Sequence, residues 1–150
     1  MNIEPTWIDY NGHLNMAYYH VLFDRSVDHF FDLVGIGEAY LQSSNASCFV
    51  LEVHVNYLQE LSLEDPVVCD LRVLDFDEKR IHYFQEMRHA DDGFIAATSE
   101  QLTMHVDMNT RRSAPFAAEV QTTLAEMLEQ HAEQPMPAQV GRRMGIRRAS

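Results

Sequence analysis

Cysteine is scarce in this chain: two in 150 residues, Cys48 and Cys69. Both lie in apolar stretches without metal-ligand spacing, and read as buried free thiols of a reducing compartment. Long apolar runs are missing too, and with them any candidate for a membrane-crossing helix. The opening MNIEPTWIDYNGH lacks a basic stretch followed by an apolar one, the mark of a secretory signal. A cytoplasmic protein is the expectation. Basic side chains are few, 11 against 23 acidic ones, for a formal charge of -12. That balance argues against nucleic acid or an anionic membrane as the main partner. No G-x-S-x-G context surrounds Ser43, Ser44, Ser47 or Ser99, so a serine nucleophile is not expected. His54, His82, His89 and His105 have neither HxH nor HExxH spacing with a carboxylate partner, so no metal centre is expected.

What is present fits one core, since 150 residues of 46% hydrophobic content leave no room for two. Met16, Tyr19, Phe23, Val27, Phe30, Phe31 and Val34 recur at three- and four-residue steps, which predicts a long helix with one apolar face. Gly35 ends it. A shorter helix is expected over Gly37–Gln42. The period then changes to two. Phe49, Leu51, Val53, Val55 and Tyr57 predict a strand with one apolar face, and Val67, Cys69, Leu71 and Val73 a second. Ile81, Tyr83, Gln85 and Met87 predict a third. A fourth runs from Phe94 to Val106 and presents Ala96, Thr98, Leu102, Met104 and Val106. Asp65-Pro66, Asp77-Glu78-Lys79 and Asp91-Asp92-Gly93 supply the turns. A terminal helix carries Val120, Leu124, Met127 and Leu128 on its apolar face. Residues 1–134 form the expected domain, and 135–150 a basic, loosely packed tail. A helix so apolar on one face needs a sheet to cover it, which gives an α+β sandwich with four consecutive antiparallel strands.

The segment Trp7-Ile8-Asp9-Tyr10-Asn11-Gly12-His13-Leu14-Asn15 resembles the D-x-x-G-H-V-N signature of hotdog-fold thioesterases of the 4-hydroxybenzoyl-CoA type. The likeness continues into Tyr19, Phe23 and Asp24, the Asp65-Pro66 turn and the Arg111-Arg112 loop. Within that family Asp-Tyr-Asn-Gly-His, the Phe49–Tyr57 strand and the ending from Gly141 to Arg148 look closest to betainyl-CoA thioesterases of bacterial carnitine breakdown. Only Met1–Trp7 precedes the motif, less than the family's usual first strand. The resemblance implies a hotdog, an antiparallel sheet wrapped around the long helix. It also implies an acyl-CoA substrate, no separate cofactor because coenzyme A is part of that substrate, and a homodimer or homotetramer with sites built from two chains.

Thioester hydrolysis needs a group that activates water or attacks the carbonyl, and donors for the oxyanion. Asp9 stands just ahead of the helix, and Gly12 supplies a turn that residues with a Cβ resist. The first N–H groups of a helix have no intrahelical partner and carry the positive end of its dipole. That end is expected to keep Asp9 ionised, as nucleophile or base. By resemblance the oxyanion donor is the Met16 N–H. Asn15 reads as a cap and His13 as a group making a local hydrogen bond or orienting substrate. By resemblance Arg80, Arg111 and Arg112 are the candidates for the coenzyme A phosphates, and solvated surface arginines are an equally good reading of them. For a quaternary ammonium on a betainyl group, Trp7, Tyr18, Phe49 and Glu52 are candidates, although Phe49 also fits the core. Taken alone, an Asp before a helix is a capping or turn carboxylate. A hotdog dehydratase and a non-catalytic acyl-CoA binding module are the alternatives in function.

Overall fold

The computed structural model describes residues 1–146, so the Arg147-Arg148 pair lies outside the described residues. A 3-10 turn at Pro5–Trp7 leads to helix α1 (Met16–Val34) and the short α2 (Glu38–Ser44). Strands β1 (Ala46–Tyr57), β2 (Val67–Phe76), β3 (Arg80–His89) and β4 (Ile95–Asp107) follow, then the two-residue β5 (Arg112–Ser113) and helix α3 (Ala118–Ala132). Among the described residues no helix is long and apolar enough to cross a membrane.

Helix α1 begins where the Asn15 side chain accepts the Ala17 N–H at 3.0 Å, and stops at Gly35, whose φ of 79° is the left-handed cap conformation. Tyr19, Phe23, Val27, Phe30 and Val34 are buried as the spacing predicts, and Leu22 joins them. Met16 does not: it is 63% exposed at the mouth of the helix. One end of the helix packs with Trp7, Leu14, Leu61 and Met87, the other with Val73, Ile81, Tyr83 and Leu124. Each large apolar side chain so buried contributes roughly 1.5–3 kcal/mol.

The sheet order is β1-β4-β3-β2, with β5 on β4 and every pairing antiparallel. Strands β2 to β4 form the expected meander, but β1 pairs with β4 rather than with β2. The link between Tyr57 and Val67 is too long for a hairpin turn. Its Leu61 is fully buried and accepts the Leu14 N–H at 2.7 Å, which ties the link to the loop before α1 instead of back onto β1.

Two strand faces also differ from the alternation read in the sequence. A bulge between Val50 and Glu52 makes Leu51 the extra residue of β1. Val50, Val53, Val55 and Tyr57 therefore share the helix-facing side, while Phe49 pairs beside Met104 on the other face. In β4 the helix-facing residues are Ala97, Ser99, Gln101, Thr103 and His105, all buried; Thr98, Leu102 and Met104 point away. Polar groups tolerate this interior because they are paired. Tyr83 donates to Gln101 Oε1 at 2.9 Å, and Gln101 Nε2 donates to Ser99 Oγ at 2.9 Å.

The two sheet edges are treated differently. Helix α3 lies along β2, buries Val120 and Leu124, and its His131 Nδ1 accepts the Val73 N–H at 2.9 Å. Among the described residues the outer edge of β1 has no partner strand. The tail after α3 stays largely exposed and makes a few hydrogen bonds to the sheet. It turns onto the outer face of the sheet, where Arg72 Nη1 donates to the Pro135 carbonyl at 2.9 Å and the Gly141 N–H to Glu100 Oε2 at 2.8 Å.

Candidate active site

The loop from Ile8 to Leu14 is a tight reversal closed by a bridge between those two residues. Asp9 N–H donates to the His13 carbonyl and Gly12 N–H to the Asp9 carbonyl, both at 3.0 Å. Gly12 has φ 87°, and a Cβ there would meet nothing within 4 Å, so backbone conformation rather than space demands glycine. The turn fixes the Asp9 side chain as well: Oδ1 accepts the Asn11 N–H at 2.7 Å. Oδ2 lies 4.0 Å from His13 Nδ1, beyond hydrogen-bond reach, so one carboxylate oxygen is held by the turn and the other is left for chemistry. His13 Nδ1 is 3.3 Å from the Leu14 carbonyl.

At the start of α1 the orphan donors are mostly accounted for. Asn15 takes the Ala17 N–H on its side chain and the Tyr18 N–H on its carbonyl, at 3.0 Å each. The Met16 N–H has no partner among the described residues. Asp9, His13, Asn15 and Met16 line one open cavity of about 460 Å³, which Tyr19 and Tyr57 also border. Asp9, with one carboxylate oxygen outside the turn, and Met16, whose N–H has no partner among the described residues, thus line the same space. A carbonyl placed there has a donor for the charge that develops on its oxygen and an acid-base group beside its carbon.

The other sequence candidates lie elsewhere in the protomer. Trp7 is buried and stacks on Tyr18 with ring centroids 5.3 Å apart, and the Arg25 guanidinium sits 5.0 Å over the Trp7 ring. The Trp7 ring thus already carries a cation. Glu52 and Arg80 border a separate cavity of about 430 Å³ on the outer face of the sheet. Arg80 is paired there with Asp77, its Nε 2.8 Å from Oδ2, and that bond holds the Asp77 carboxyl below its ordinary range. Arg111 has φ 57° and lies 5.6 Å over the Phe49 ring; Arg112 is in β5. Both arginines stand at the Ala46 end of β1, whereas the Asp9 cavity is at the Tyr57 end. From Phe49, under Arg111, to Tyr57 the strand alone spans roughly 25 Å. Tyr10, Tyr57 and Glu60 border the Asp9 cavity and were not among the sequence candidates, nor was Tyr19 outside the core. Tyr19 and Tyr57 each sit on a face that its period assigns to packing, so nothing in the pattern separated them from ordinary core.

Residues 3–124 match the family model described as the thioesterase-like superfamily. The betainyl-CoA thioesterase of Pseudomonas aeruginosa is 35% identical, over 96% of this chain and 91% of that protein. The L-carnitine dehydrogenase/betainyl-CoA thioesterase of Rhizobium meliloti is also 35% identical over 97% of this chain, which spans only 29% of that longer protein. Among solved structures, a Staphylococcus aureus protein in complex with CoA superposes with a TM-score of 0.92 at 31% identity, covering 98% of this chain and 92% of that one. A putative thioesterase from Pseudomonas putida gives 0.86 at 33% identity, covering 99% and 94%. The chain belongs to the thioesterase-like superfamily. It is an α+β hotdog protein and a thioester hydrolase.

Proposed function

We propose that the protein hydrolyses an acyl-CoA thioester at the Asp9 cavity, and that betainyl-CoA, named for two of its relatives, is the substrate to test first. The observation that carries this reading is the shared cavity of the Asp9 carboxylate and the unpaired Met16 N–H. The thioester carbonyl accepts from Met16 N–H, which stabilises the oxyanion as the carbonyl carbon becomes tetrahedral. Asp9 either attacks that carbon itself or takes the proton of an attacking water; both routes start from the same placement. The C–S bond then breaks and coenzyme A leaves as the thiol, taking its proton from Asp9 on the water route or from solvent on the nucleophilic one, where a water afterwards hydrolyses the acyl–Asp9 anhydride to release the acid. Loss of one such oxyanion donor costs about 3–4 kcal/mol in the transition state.

The working form is a homodimer joined along β1. That edge is long, apolar and unpaired among the described residues, with Val50 50% and Leu51 49% exposed, whereas α3 lies along the opposite edge of the sheet. The free thiols Cys48 and Cys69 fit a cytoplasmic location. A thiol-release screen over betainyl-, short-chain, long-chain and aromatic acyl-CoAs tests the activity. Release from at least one ester supports it; none from any, with a folded protein, ends it.

A further inference from the structure

We propose that Tyr19, Tyr57 and Glu60 form a subsite for a positive charge on the acyl group, on the wall of the cavity that holds Asp9. This rests on the thioesterase reading above and adds what the pocket selects. The two tyrosine rings lie 5.2 Å apart at 79° and both residues line the cavity, Tyr57 as the exposed ring of the pair and Tyr19 as the buried one, so a cation has aromatic surface to pack on. Tyr57 is fixed in place by its hydroxyl, which donates to the Met16 carbonyl at 3.3 Å. The aromatic wall is thereby tied to the residue whose N–H faces the thioester.

Charge in the cavity points the same way. Asp9 and Glu60 border it, with His13, and no lysine or arginine does so among the described residues. Only one carboxylate is needed at the carbonyl. Glu60 is exposed on the link after β1, and its field reaches the Tyr19 hydroxyl, adding to the burial that raises that group above its ordinary range. An anionic acyl group would meet two carboxylates there and a neutral one would gain nothing from them; a cation is attracted by both and by the ring faces. The candidates read from the sequence do not offer this. Trp7 already carries Arg25 over its ring, Phe49 carries Arg111, and Glu52 faces the other cavity.

The test compares two esters on the same enzyme: betainyl-CoA, and tert-butylacetyl-CoA, which replaces the ammonium nitrogen by carbon at the same shape. Wild type should favour the cation by roughly tenfold in kcat/KM, the size of one desolvated cation–aromatic contact. Tyr57→Leu and Glu60→Gln should each lower that ratio several-fold, while Tyr57→Phe, which keeps the ring face, should largely preserve it. Both esters are read on one preparation, so a general loss of folding or catalysis divides out. Equal rates for the two esters in wild type, or an unchanged ratio in both Tyr57→Leu and Glu60→Gln, overturns the subsite and leaves the hydrolase reading standing. No thiol release from any acyl-CoA overturns both.

Discussion

Asp9→Asn separates the turn contact of this side chain from the catalytic role proposed for it. One oxygen, Oδ1, accepts the Asn11 N–H at 2.7 Å and shapes the turn; the other is outside the turn, in a residue that lines the cavity. Asparagine keeps a carbonyl oxygen for the turn but loses the charge and the basic or nucleophilic oxygen. The turn bond changes from charge-assisted to neutral, a loss of about 1 kcal/mol in stability. A positioned base accounts for about 10²–10⁴ in rate, so kcat should fall by that factor, or roughly 3–5 kcal/mol in barrier. Denaturant unfolding measures the loss of stability, and thiol release under saturating ester the fall in kcat. Mass spectrometry of the variant excludes reversion by deamidation. If Asp9 were only a turn carboxylate, the ordering would reverse: stability would change and kcat would hold. A kcat within threefold of wild type, with the fold intact, refutes the assignment.

Gly12→Ala meets no steric clash, yet it forces an L side chain to φ 87°. It should cost about 1 kcal/mol or more of stability and lower kcat/KM about tenfold by shifting the Asp9 turn, read by unfolding and thiol release together. Val50→Lys with Leu51→Lys places like charges along the exposed β1 edge, and light scattering should show a dimer for wild type and a monomer for this variant. His131 accepts the Val73 N–H, which requires a neutral ring, and burial first, then Arg72, holds its protonation below the ordinary range. Its contribution is therefore full above the ordinary histidine pKa of about 6.5 and is lost as pH falls through that value toward the folded one. His131→Gln, which keeps a neutral acceptor, should flatten the difference in unfolding free energy between neutral and mildly acidic pH.

Helix α1 was readable because its burial follows from the sequence alone: one stripe faces the sheet whatever the sheet's topology. The stripe failed at Met16, where the helix end leaves the core beside the cavity, and Phe31 is only half-buried. Strand faces were less secure. In β4 the core-facing set is Ala97, Ser99, Gln101, Thr103 and His105, polar residues whose interior place depends on hydrogen bonds to partners distant in sequence, such as Tyr83 to Gln101. In β1 one bulge at Leu51 exchanges faces, and a bulge leaves no mark in an unbroken apolar run. The pairing of β1 with β4 was hidden for the same reason: it is decided by Leu61 docking under the loop before α1. The loop itself was legible, because Asp9, Gly12 and Asn15 act on neighbours within a few residues. The acyl wall was not, since it joins α1, the end of β1 and the link beyond it.

The distance along β1 decides how such a site can be completed. Arg111 and Arg112 lie at the Ala46 end of the strand and the Asp9 cavity at the Tyr57 end, so within one chain they are too far apart to serve a single substrate. In the proposed dimer, a two-fold axis across the open β1 edge would pair that strand antiparallel with its copy and set the arginine end of one chain beside the Asp9 end of the other. Each site then takes its carboxylate and helix terminus from one protomer and its phosphate partners from the second. The consequence is measurable by mixing two impaired variants, Asp9→Asn and the double variant Arg111→Ala with Arg112→Ala. In a mixed dimer one of the two sites is rebuilt with both wild-type parts. Random pairing at equal amounts makes half of the dimers mixed, so co-refolded protein should recover about a quarter of wild-type turnover at limiting ester. A site contained in one chain predicts no recovery above the average of the two parents, and that result would rule out the shared arrangement.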